Sequence, residues 1–111
     1  MLYKDIQIGE KSYKMSCAAS VNICYQLIFN EDFLAKLDME HPENAIMPFM
    51  KMAFVMVKVG ELGRTEASKL TTDDYENWMD EFSFVDLMDA MEDIQLFYLS
   101  SSKGTVDSKK K

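Results

Sequence analysis

Carboxylates are the most abundant chemistry-bearing groups in this chain, and they are concentrated. Residues 71–102 carry nine of them (Asp73, Asp74, Glu76, Asp80, Glu81, Asp86, Asp89, Glu92 and Asp93) and no basic side chain. Paired carboxylates do acid–base chemistry when burial and proximity drive their pKa values apart. Here they fall at expected helix starts or opposite apolar stripes, where capping and solvation call for charge. Asp73, Asp74 and Glu76 also lack the alternating oxygen ligands around a central glycine that a calcium loop needs. Cys17 and Cys24 stand seven apart with no CxxC pair, and His41 is the only histidine. That set fits two separate, half-buried thiols in a reducing compartment, not a disulfide framework, a metal site or a Cys–His nucleophile. The four glycines are scattered singly, so no loop cradles a phosphate. The expectation is a binding protein with no catalytic residues, no metal and no cofactor.

The charge balance narrows the partners. Net charge is −7, yet residues 1–70 are close to neutral, with eight bases against nine acids. The acidic body repels phosphate backbones and disfavours nucleic acid as a partner. The start, Met1-Leu2-Tyr3-Lys4-Asp5, lacks the basic-then-apolar run of a signal peptide. The longest apolar segment falls short of the roughly twenty residues a bilayer requires. A soluble, intracellular protein is expected, with no membrane partner.

Positioning elements follow from the periodicity. Tyr3-Lys4-Asp5-Ile6-Gln7-Ile8 and Lys11-Ser12-Tyr13-Lys14-Met15 each alternate polar and apolar around Gly9-Glu10. This predicts a β-hairpin with Ile6, Ile8, Tyr13 and Met15 inward. A lone hairpin is marginal in water, so it must pack on helices or on a neighbouring subunit. From Ser20 the period becomes helical, with Val21, Cys24, Leu27 and Ile28 as the stripe, ending near Asn30. Residues 31–37 either extend that helix or form a second short one. Asp38 to Asn44, containing His41-Pro42, is a connector. Residues 61–70 read as a polar loop with room for one helical turn. Thr71-Thr72-Asp73-Asp74 is a capping-box helix start, with Tyr75, Trp78, Met79 and Phe82 as the stripe. Ser83 and Asp86 repeat the pattern before a last helix striped by Phe84, Leu87, Met88, Met91, Ile94 and Tyr98. Residues 100–111 have the composition of a disordered Ser/Lys-rich tail. The expected fold is α+β and mostly α. A single domain over residues 1–99 has an N-terminal β-hairpin and then four or five helices, with Phe54, Trp78 and Phe84 near the core.

One helix stands apart from the rest. Ile46 to Val59 is apolar except for Lys51 and Lys58, seven apart on one face, and includes Met47, Met50, Met52 and Met56. Pro48 is tolerated in its first turn, and Gly60 and Gly63 offer its stop. A helix apolar almost all round must be wrapped by its own chain or offer one side to a partner. Methionine suits both an irregular core and a surface that accepts varied apolar partners. The partner-facing residues would be Met47, Met50, Phe54 and Val57. Ile6 and Tyr13 of the hairpin are the candidates for self-association by strand addition.

The order of these elements resembles a known family. After the hairpin come Tyr25…Phe29…Asp32-Phe33…Leu37, then Met52-Ala53-Phe54-Val55-Met56-Val57-Lys58, then Tyr75-Glu76-Asn77-Trp78-Met79-Asp80-Glu81-Phe82. Over residues 3–99 this is similar to the small tail assembly chaperones of long-tailed, siphovirus-type bacteriophages and prophages of Gram-positive bacteria. Each motif is short and apolar, and the specificity lies in their order. The flanks of Tyr25 depart from the family: Ile23, Cys24 and Gln26 stand where members often carry bases, so no basic contact is carried over. The resemblance implies a non-enzymatic, self-associating protein in the cytoplasm of the bacterial host. It would bind and solubilise the tape measure protein during tail morphogenesis and be absent from the mature virion. It also implies a longer frameshifted form that recruits the tail tube protein. Lys109-Lys110-Lys111 fits the A-rich message on which ribosomes slip, and equally fits a solvated basic tail.

Two other classes suit the same chain. The nine uninterrupted acids suit an acidic phage-encoded inhibitor that mimics DNA, whose binding would collapse in salt. A small structural virion subunit is the third, and would be present in purified particles.

Overall fold

The computed structural model describes residues 3–37, 41 and 45–110, with side chains described through residue 100. Strands β1 (Tyr3–Ile8) and β2 (Lys11–Ser16) precede six helical segments. These are α1 (Ser20–Phe29), α2 (Phe33–Lys36), α3 (Ile46–Leu62), α4 (Arg64–Ala67), α5 (Thr72–Met79) and α6 (Phe84–Lys110). The α+β, mostly helical architecture is as expected; α2 and α4 are single turns of four residues.

The hairpin forms where the alternation places it. β1 and β2 pair antiparallel with Ile8 opposite Lys11 and Ile6 opposite Tyr13. Gly9 holds φ +63° while Glu10 does not share the left-handed region, the pattern of a turn with glycine at its first central position. Ile6, Ile8 and Met15 are buried and Tyr13 is partly buried against the core.

The apolar helix is the axis of the molecule. β2, α1, α2, α4, α5 and α6 all pack on α3. The run from Met52 to Val57 is buried without interruption. Gly60 explains how close the hairpin comes: a Cβ there would run into the backbone carbonyl of Lys14 on β2. Gly63 then stops the helix at φ +88°, its N–H returning to the Val59 carbonyl. Ten aromatic rings weld the other elements to this axis. They run in edge-to-face or tilted contacts from Tyr13 and Phe82 through Trp78, Phe54, Tyr75, Phe29, Tyr25, Phe33 and Phe49 to Tyr98.

Local chemistry sets the boundaries. Asn30 ends α1 in the left-handed conformation at φ 56°, so α2 is a separate helix, started by Asp32 accepting from the Leu34 N–H at 3.1 Å. Thr71 and Asp74 form the expected capping box: the Thr71 N–H donates to Asp74 at 2.9 Å and the Asp74 N–H to Thr71 Oγ1 at 3.3 Å. Ser83 accepts from the Asp86 N–H at 3.1 Å to open α6.

Two expectations are corrected. Leu27 is exposed, because the buried stripe of α1 is Val21, Cys24, Tyr25 and Ile28. Phe84, at 68% exposure, is no core residue; the inner face of α6 begins three residues later, at Leu87, and runs through Ala90, Met91, Ile94, Phe97 and Tyr98. The Ser/Lys-rich segment expected to form a tail from residue 100 follows on as the last part of α6, which runs to Lys110. The side chains of that segment, including Lys109-Lys110-Lys111, lie outside the described residues. So does most of the 38–44 connector, of which only exposed His41 is described.

Candidate partner-binding surface

Of the four residues singled out on α3, the structure leaves one at the surface. Met47 is 58% exposed, whereas Met50, Phe54 and Val57 are buried. The sequence allowed two ways of covering this helix, and the chain uses its own elements for nearly all of it. The three buried side chains therefore hold the core together and are not a docking face. The hairpin candidates fall similarly. Ile6 is buried, and Tyr13 packs on Trp78 at 6.5 Å and Phe82 at 5.7 Å between ring centroids. Because they stand opposite each other two residues from the turn pair, alternation directs their backbone groups toward each other rather than to a free edge. The outer edge of β2 is itself occupied at Lys14 by α3.

The polar groups of the core are used structurally. Tyr25 Oη donates to Glu31 Oε2 at 2.6 Å, and Lys51 Nζ lies 3.5 Å from the same oxygen. Lys51 also sits over the Phe29 ring, 5.3 Å from its centroid. The Tyr25 hydroxyl, with Lys51 and Lys36 nearby, holds the Glu31 carboxyl below the usual range against its partial burial. Burial, reinforced by that carboxylate, pushes the Tyr25 hydroxyl far up. Tyr98 Oη donates to Asn22 Oδ1 at 2.8 Å and ties α6 to α1. The Cys24 thiol is buried, pushed up by that burial, and lies 3.6 Å from the Arg64 carbonyl, so it is a packed donor and not a thiolate nucleophile. Among the described residues no group of three or more His, Cys, Asp or Glu is placed to hold a metal ion, and no helix is long and apolar enough to cross a membrane.

What the surface does offer is exposed aliphatic area beside charge. On α1, Ile23 and Leu27 are 58% and 63% exposed. Their spacing of four puts them on one outward face. Leu34 on α2 and Met47 on α3 are exposed too, on elements joined to α6 through Phe33, Phe49 and Tyr98. On α6, Val85, Leu96 and Leu99 face away from the core. Counting about 100° per residue from the buried positions finds all of these in the sequence, provided the buried face is chosen correctly. Choosing Leu27 over Tyr25 as a core residue hid the α1 face. The acids Asp86, Asp89 and Asp93 share a shallow groove of about 250 Å³ with Ala90, Gln7 and Gly9, where α6 meets β1. All three are exposed, and none has an ion pair among the described residues. Neither a protein-family model, nor a curated protein, nor a solved structure matches this chain, which leaves these surfaces and the sequence pattern to speak for its function.

Proposed function

We propose that this protein is a phage tail assembly chaperone that binds an apolar helical client, the tape measure protein, and keeps it soluble until the tail tube forms. The observation that carries the reading is the outward face of α1. Ile23 and Leu27 present bare aliphatic area on a molecule whose net charge is −7. Apolar contacts of this kind take up a long amphipathic helix without demanding a particular sequence, and the acidic body keeps coated complexes apart. The aromatic core supports the reading as well, because Tyr25 and Phe29 anchor α1 on their inner side and leave Ile23 and Leu27 outward. The order of sequence motifs supplies the identity of the client.

The test is co-expression with a large, heptad-patterned apolar protein encoded beside this gene. The client should become soluble and co-purify at a many-to-one ratio that persists in high salt. Ile23→Asp with Leu27→Asp should abolish that rescue while leaving the helical CD signal intact. A client that stays insoluble with the native chain overturns the reading.

The line of Asp86, Asp89 and Asp93 favours a second reading, an acidic inhibitor of a basic nucleic-acid-binding enzyme. It requires binding that vanishes with salt and is lost in the triple Asn variant, the opposite of what apolar contacts give.

A further inference from the structure

The aliphatic face of α1 borders α4, and a single cation stands at that border. Cys24 Sγ lies 3.6 Å from the Arg64 carbonyl, which sets the start of α4 against the Cys24 edge of α1. At about 100° per residue, Leu27 falls about 60° and Ile23 about 100° beyond Cys24, on the side away from Tyr25. The exposed pair therefore lies along the edge that α4 borders. Leu62, at the end of α3 and just before Gly63 and Arg64, adds exposed aliphatic area. From Ser20 to Phe29, α1 has no charged side chain of its own.

Arg64 is the only arginine of the chain, and it is exposed. The acids on either side of it are answered within the molecule: Glu61 pairs with Lys58 at 3.8 Å and Glu66 with Lys69 at 3.3 Å. Arg64 itself has no ion pair among the described residues. Its charge reaches the Cys24 thiol, where it works against the upward push of burial, so the guanidinium stands near α1. We infer that the α1–α4 face takes an amphipathic helix with a carboxylate bordering its apolar stripe, and that Arg64 receives that carboxylate. The inference rests on the reading of α1 as the client-binding face and adds the chemistry of what binds there. Aliphatic area supplies the affinity, while the guanidinium fork fixes which edge of the incoming helix turns toward α4. The whole molecule, at −7, favours the opposite partner, a helix with a basic border. Local and global charge thus select different helices.

Synthetic peptides decide between them. Each has about 18 residues, enough to form a helix, with one leucine stripe and glutamine elsewhere. They differ only in carrying Glu, Gln or Lys along one border of the stripe. Titrated calorimetrically into the full chain at low salt, the Glu peptide should bind about fivefold tighter than the Gln peptide, and the Lys peptide weakest. High salt should close that gap while binding of the Gln peptide persists. Arg64→Glu should reverse the order without moving the thermal midpoint, since the side chain is exposed and the carbonyl facing Cys24 is kept. Ile23→Asp with Leu27→Asp should remove binding of all the peptides. A native chain that prefers the Lys peptide overturns the inference. So does an order that Arg64→Glu leaves unmoved, or a chain that binds none of the peptides. The peptides contain no client sequence, so a failed co-expression overturns the choice of client and leaves the preference of this face to be read separately.

Discussion

Glu31 is an acid whose position is made by its neighbours. Tyr25 donates to it from a fully buried ring, and Lys51 reaches it from the central helix. Since its folded pKa is depressed, its contribution is present above the ordinary carboxyl range and is lost as pH falls through the folded value. Tyr25→Phe removes the largest cause of that depression. It should cost about 1.5–3 kcal/mol at neutral pH by urea denaturation, and the cost should shrink in acid as Glu31 takes up a proton. Gly60 carries a different constraint. Alanine is the better helix former by about 1 kcal/mol, yet its Cβ would meet the Lys14 carbonyl, which is backbone and cannot rotate away. Gly60→Ala is therefore expected to destabilise by about 1–3 kcal/mol despite its propensity, with the thermal midpoint as readout. The sequence offered Gly60 and Gly63 as equivalent helix stops. Only Gly63 has a positive φ, which favours glycine, and the role of Gly60 depends on a strand far away in sequence.

At the scale of elements, legibility followed the locality of the cause. The hairpin register, the capping box at Thr71 and the Ser83 start are made by residues within a few positions of one another, and each lies where the pattern puts it. Thr71→Ala should accordingly cost about 1 kcal/mol, read from chemical denaturation. The burial of α3 was harder. Its composition demanded cover on nearly every side, but whether the cover came from this chain or from another depended on how six other elements packed. That is why Met50, Phe54 and Val57 read as partner-facing and are core. Phe54→Ala should cost about 3–5 kcal/mol, since the ring stacks on Phe29, Tyr75 and Trp78 and leaves a cavity at their junction. Phe84 misled in the other direction: a phenylalanine beside a helix start invites a core assignment, yet it sits three residues before the inner face begins at Leu87.

For the whole molecule, the division of labour is between an inside built from aromatic rings and methionines and an outside that is acidic with aliphatic breaks. No motif announces the α1 face, because Ile23 and Leu27 are ordinary residues whose significance comes from being left uncovered. Their replacement by aspartate should leave urea stability within about 0.5 kcal/mol, as for surface positions generally, while client rescue is lost. Dissociation of stability from binding is the signature that separates a docking face from a core.

Trp78 is the only tryptophan of the chain, and its indole is enclosed by Tyr13, Phe54 and Phe82 at the seam between the hairpin and α5. Its Nε1–H is buried and has no hydrogen-bond partner among the described residues. An indole so dry emits at short wavelength, and lifting the hairpin would wet it before the central helix is disturbed. The protein thus carries its own fluorophore at one joint, and a red shift that precedes loss of helical signal would time the hairpin's departure separately from global unfolding.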